Sequence, residues 1–205
     1  MLNRKIDNEI DAHFSNSKKA LFLTGARQVG KTYSIRKYAK RHGLNLIEFN
    51  FLLQPETMDI INGAGDVKEL LLRISAYSRV PLVRSRTLIF FDEVQECPDV
   101  MTWVKALVDE GSYIYALSGS LLGVELKDIR SVPVGYMSEM QVYPMDFEEF
   151  VSAVGVPENV LDAVKKSWSE KTLVDAYIHE KMMQLFQLYI IVGGMPAAVQ
   201  TYIDS

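Results

Sequence analysis

Hydrophobic positions along the chain follow two patterns. Ala20-Leu21-Phe22-Leu23-Thr24, Leu44 to Phe49 and Thr87-Leu88-Ile89-Phe90-Phe91 are short apolar runs without alternation, as expected of strands covered on both faces. Ser112 to Leu117 and Met137 to Tyr143 supply a fourth and a fifth strand. Between them lie helical patterns: the N-terminal MLNRKIDNEIDAHF, Thr32 to about His42, residues 56 to 78, and a stretch opened by Pro98. In the last, Val100, Trp103, Val104, Leu107 and Val108 make one apolar stripe. Alternating strands and helices predict right-handed crossovers and a three-layer α/β fold around a five-stranded parallel sheet, with ligands at the carboxyl ends of the strands. The Leu21 strand is expected at the centre, flanked by the Phe90 and Ser118 strand ends, with the Ile47 strand at or near an edge. From Asp146 the pattern turns helical: Phe147 to Val154, Pro157 to Trp168, and Leu173 to about Val192, broken by Gly193-Gly194. The reading is a core over 1–145 and a helical, lid-like segment over 146–205.

Composition narrows the class. The 205 residues, 48% hydrophobic, suffice for one α/β core and a smaller appendage. A single cysteine, Cys97, excludes an internal disulfide framework and has no C-x-x-C partner for zinc. No apolar stretch approaches the length of a membrane span and the charged N-terminus is unlike a signal peptide, so a cytoplasmic, membrane-free protein is expected. His13, His42 and His179 are scattered and read as surface or structural. The net charge of −4 is uneven: residues 1–43 carry ten lysines and arginines against three acids, a local +7 that leaves −11 elsewhere. Arg36, Lys37, Lys40 and Arg41 share one helix face, which suits either a solvated surface or an acidic partner such as nucleic acid.

The most specific chemistry lies at Gly25-Ala26-Arg27-Gln28-Val29-Gly30-Lys31-Thr32, a complete G-x-x-x-x-G-K-[ST] loop between a predicted strand and a predicted helix. Gly25 and Gly30 permit the backbone to curl around an anion, so that successive N–H groups and the helix N-terminus point at phosphates. Lys31 can reach the β- and γ-phosphates, and the Thr32 hydroxyl can ligate Mg²⁺. Residues 25 to 32 and Tyr33 are therefore the candidate nucleotide-binding residues, with Arg27, Gln28 and Val29 at variable positions that are exposed or packing.

Asp92 and Glu93 close the third strand with adjacent carboxylates. The first can hold Mg²⁺, directly or through water, and the second can accept a proton from a water attacking the γ-phosphate. A water-activating glutamate also favours hydrolysis over phosphotransfer, because a kinase must protect ATP from water. Ser118, after the fourth strand, can contact that water or the γ-phosphate; the Ser118-Gly119-Ser120 sequence is equally ordinary turn material.

With GARQVGKT, FFDEVQECPDV, LSGSLLGV, YPMDFEEF and IIVGGMPAAV in this order and spacing, the chain from about Leu21 onward resembles the AAA+-type ATPases of bacteria and archaea. The resemblance implies a P-loop nucleoside-triphosphatase core that binds ATP with Mg²⁺. Lys31 and Thr32, Asp92 and Glu93, and Ser118 match its phosphate-loop, acidic-strand and sensor positions. Gln95 recurs in the same block, either supporting the Asp92-Glu93 loop or simply forming a turn. Longer members carry an Arg or Lys after the glycine preceding the fifth strand, where this chain has Gly135-Tyr136. Arg130 is the substitute, with Arg84 and Arg86 behind it. Longer members also continue into a nuclease-like C-terminal domain. Here the apolar Met195 to Ile203 segment is expected to pack back on the core or to mediate association, with such a domain as its natural cover.

The leading expectation is a Mg²⁺-dependent ATPase whose cycle drives a conformational change. The alternative is an ATP-gated switch, associated with DNA or a protein partner or a second copy of the chain, with little turnover of its own.

Overall fold

The computed structural model describes residues 2–120 and 135–205. They divide into two compact units, Ile6–Val142 and the chain up to Lys5 together with Tyr143–Ser205.

The first unit begins with α1 (Lys5–Asn16), whose first residue belongs to the other unit, then β1 (Ala20–Gly25), α2 (Lys31–Arg41) and β2 (Asn45–Asn50). It continues with α3 (Met58–Asn62), α4 (Val67–Tyr77), β3 (Thr87–Asp92), α5 (Val100–Glu110), β4 (Ile114–Ser120) and β5 (Met137–Gln141). Residues 56–78 are thus two helices rather than one. The break falls at Gly63-Ala64-Gly65, after which the Asp66 side chain caps α4 by accepting from Glu69 N.

The five strands among the described residues are all parallel, in the order β2-β3-β4-β1-β5. The β2 strand is at an edge as expected, but β4, not β1, is central, and β1 lies between β4 and β5. The sequence signal could not separate the two candidates, because β1 is buried along its whole length and β4 from Tyr115 onward. The order inserts β4 between the acidic strand end and the loop strand. The main core lies on the α4–α5 side of the sheet, where Phe49, Phe51 and Phe91 stack with ring centroids 5.6–6.4 Å apart.

The second unit contains α6 (Phe147–Ala153), α7 (Glu158–Glu170), α8 (Ala176–Val192) and α9 (Pro196–Asp204). Asp146 and Glu149 close a capping box at the start of α6. The buried Arg4–Glu149 pair at 3.1 Å and the Lys5 bridges to Asp146 and Glu148 fasten the N-terminal residues to that cap. The Gly193-Gly194 break is required by geometry: Gly193 has φ +78°, and a Cβ on Gly194 would lie 2.2 Å from Met145 O. Val199 is buried against Met145, Phe150, Val151 and Leu161. Ile190 and Ile191, by contrast, are 66% and 81% exposed, so only part of the apolar C-terminal stretch is covered. No single described helix is long and apolar enough to cross a membrane; α8 and α9 pass by composition only as a pair bent by 118°.

Truncating Phe91, fully buried in the stacked aromatic core, should cost about 3–5 kcal/mol of stability in Phe91→Ala. Urea unfolding checks this, and a loss below about 1 kcal/mol would mean that the aromatic stack collapses to refill the space.

Candidate functional site

Sheet register assembles the site. β2 and β3 pair Asn50 with Asp92, β3 and β4 pair Phe91 with Leu117, and β4 and β1 pair Ser120 with Gly25. The carboxyl ends of four strands therefore meet, and one residue beyond the Phe91–Leu117 pair Asp92 comes beside Ser118.

The Gly25–Lys31 loop curls as its glycines permit. Gly25, Gly30 and the non-glycine Gln28 have φ of +147°, +100° and +65°. A Cβ on Gly25 would lie 2.2 Å from Val142 O, so the strand-to-loop turn admits no side chain. Ala26, Arg27 and Gln28 are exposed, Val29 is buried, and Tyr33 is exposed on the first turn of α2. That helix starts at Gly30 without a side-chain cap, an arrangement whose first N–H groups suit an anion. Lys31 is buried and folded back, its Nζ donating to Gly25 O at 3.0 Å and Ala26 O at 2.9 Å. Burial lowers its pKa, against the opposing pull of the Glu93 and Asp92 charges. The ammonium thus rests on two backbone carbonyls beside the Asp92 and Glu93 carboxylates.

Asp92 is 1% exposed. Its Oδ2 accepts from Thr32 Oγ1 and from Asn50 Nδ2, each at 2.9 Å, and its Oδ1 accepts from Ser118 Oγ. Desolvation raises its pKa while the Ser118 and Thr32 hydrogen bonds pull it down. Glu93 adopts the left-handed φ of +59° and its N–H donates to Ser118 Oγ at 3.3 Å. A bulky residue in this conformation is strained, and such strain gathers at functional sites. Gln95 donates through Nε2 to Glu93 Oε2 at 2.5 Å and accepts at Oε1 from Ser120 N at 3.3 Å. Ser120 Oγ is buried without a hydrogen-bond partner among the described residues.

The residues singled out in the sequence therefore come together: the Gly25–Thr32 loop, Asp92, Glu93 and Ser118 share one end of the sheet. Asn50 was missed. Its signal was available, since Phe49-Asn50 ends β2 as Phe91-Asp92 ends β3. Arg84 and Arg86 are misplaced as substitutes for the missing charge. Both precede Thr87 at the amino end of β3, and the roughly 3.3 Å rise per strand residue carries them to the opposite edge from Asp92. Arg130 falls outside the described residues. The basic face of α2 is solvated at Arg36, Lys40 and Arg41 and also paired: Arg36 clasps Glu48 at 2.8 and 2.6 Å, Lys37 meets Asp7 at 2.6 Å, and Arg41 meets Asp11 at 2.9 Å. Cys97 is buried in the core, where burial pushes its thiol up to about 11.

A family model described as an AAA domain matches residues 17–151. The chain belongs to this AAA-domain family. Similar solved structures include the Walker-type ATPase PABY2304 of Pyrococcus abyssi, at 15% identity and a TM-score of 0.52, with 97% of this chain and 66% of that chain covered. PCH-2 of C. elegans aligns at 14% identity and a TM-score of 0.53, covering 98% of this chain and 62% of that one. At these identities the likeness is one of fold, and the chain spans just under two thirds of either protein's length. No curated protein matches.

The residues present fit a phosphate chain and a hard cation. Three left-handed residues and an uncapped helix start suit phosphate oxygens, while a hydroxyl and a carboxylate in contact suit Mg²⁺, which prefers oxygen ligands and retains water. Asp92, with its pKa raised, contributes stability below about its ordinary 3.8 and loses it as pH rises through the folded value. Asp92→Asn, in which Ser118 can turn to accept, should accordingly raise the ligand-free unfolding midpoint at neutral pH. The gap should close as pH falls toward 4. A lower midpoint at pH 7 would contradict a net cost of the buried charge.

Proposed function

We propose that this AAA-domain protein binds ATP with Mg²⁺ and hydrolyses it. The observation that carries the reading is the 2.9 Å hydrogen bond from Thr32 Oγ1 to Asp92 Oδ2, which joins the phosphate-type loop to the acidic strand end. Loop N–H groups and the start of α2 would receive the phosphates, and Lys31 would exchange the Gly25 and Ala26 carbonyls for the β- and γ-phosphate oxygens. Thr32 and Asp92 would hold Mg²⁺, which when bound supplies neutralising charge at those oxygens.

Glu93 is the proton acceptor in this reading. Water attacks the γ-phosphorus, its proton passes to Glu93, and the bond to the β-phosphate oxygen breaks to leave ADP and phosphate. Ser118 accepts from Glu93 N and donates to Asp92, and so orients both acids. The energy of the cycle would drive a conformational change. The ATP-gated switch remains the second reading; turnover separates the two, because a switch needs occupancy alone.

Lys31→Ala should abolish binding of a fluorescent ATP analogue. Glu93→Gln should bind it normally and release phosphate roughly 10²- to 10⁴-fold more slowly, the usual contribution of a general base. Wild-type phosphate release by Glu93→Gln would remove Glu93 from the mechanism.

Basal turnover should be weak and should rise with protein concentration. A charge-stabilising arginine contributes about 10³ to 10⁵ in rate, and neither Arg84 nor Arg86 is at the correct end of the sheet to supply it in cis. A fast rate independent of concentration would show that the arginine is supplied within one chain.

A further inference from the structure

Glu93 stands on a strained turn, and a glutamate side chain with three free torsions loses rotamer entropy when it is fixed. A general base must nevertheless be placed accurately, since a displacement of about 1 Å can cost on the order of 100-fold in rate. Something has to hold the carboxylate. Among the described residues the group that contacts it is the Gln95 amide, two residues on in the short 3-10 turn Val94–Glu96, at 2.5 Å from Glu93 Oε2.

The chemistry fixes which way that amide points. A carboxylate only accepts and a backbone N–H only donates, so the NH₂ must face Glu93 and the carbonyl must face Ser120 N. Gln95 thereby uses both ends: one steadies the base, the other anchors on β4. Ser120 is the residue that pairs with Gly25 across the β4–β1 ladder, so the anchor sits on the backbone beside the start of the phosphate-type loop. A continuous path runs from Gly25 through Ser120 and Gln95 to Glu93. The donor is neutral, and the other carboxylate oxygen carries no protein hydrogen bond among the described residues.

We propose that Gln95 is a positioning residue that holds the Glu93 carboxylate in register with the phosphate-binding loop through the backbone of Ser120. The proposal rests on the ATPase reading given above.

Two variants separate the parts of the role. Gln95→Glu keeps the length and the acceptor for Ser120 N but removes the donor to Glu93 and sets a like charge against it. Gln95→Met keeps the bulk and removes both bonds. Each should lower kcat about 10- to 100-fold while affinity for a fluorescent ATP analogue, KM and the unfolding midpoint stay within about twofold or a few degrees of wild type. In a Glu93→Gln background, Gln95→Met should give no further loss in single-turnover assays with radiolabelled ATP, because a positioner acts only through what it positions.

Wild-type kcat in both Gln95 variants overturns the proposal, as does a Gln95→Met loss of equal size with Glu93 already removed, or a loss confined to affinity. If Glu93→Gln is inactive and the Gln95 variants are unaffected, the inference about Gln95 fails alone. Absent turnover in the wild type, or full turnover in Glu93→Gln, overturns the ATPase reading and this proposal together.

Discussion

Everything at this site depends on one buried carboxylate. Asp92 sits at the end of a wholly buried strand, 1% exposed, where an isolated charge would be expensive. It is tolerated because three donors from three other elements converge on it: Thr32 from α2, Asn50 from β2 and Ser118 from β4. Parallel register is what delivers them, because strands running the same way end together. A shift of β2 by one residue would point Asn50 to the other face of the sheet and leave Asp92 short of a partner. The order β2-β3-β4-β1-β5 has the same consequence for Ser118. By placing β4 between β3 and β1, it makes that serine the bridge from the acids toward the loop strand.

The same arrangement explains why the site looks unrelaxed. Lys31 is buried with its ammonium on backbone carbonyls, Glu93 has a left-handed backbone, and Ser120 keeps a buried hydroxyl without a partner among the described residues. A fold selected for stability alone would relieve each of these. Phosphate oxygens would satisfy Lys31 and the helix start, and a divalent cation would offset the charge of Asp92. The strain and the desolvation are therefore features that the proposed nucleotide and its metal would relieve.

Much of this was legible in the sequence for physical reasons. Non-alternating runs marked strands buried on both faces, glycines at 25 and 30 marked a loop that must approach its ligand closely, and Phe91-Asp92-Glu93 marked a strand that ends in charge. Strand order was less legible, because β1 and β4 both carry an apolar run that is buried and hydrophobicity contains no neighbour information. Asn50 escaped because a single polar residue after an apolar run is also the normal way for a strand to stop. The basic face of α2 was read from one helix alone, whereas its partners Asp7, Asp11 and Glu48 come from α1 and β2. Pairing across elements, like register, is a tertiary property.

The central claim is that the Asp92 charge is retained to hold Mg²⁺ against a bound nucleotide. Isothermal titration of ATP into the wild type and Asp92→Asn, each with and without Mg²⁺, tests it most directly. The account predicts that Mg²⁺ tightens ATP binding by the wild type and that this gain disappears in Asp92→Asn, while binding without the metal is nearly the same in both. An equal Mg²⁺ gain in the two proteins would contradict it.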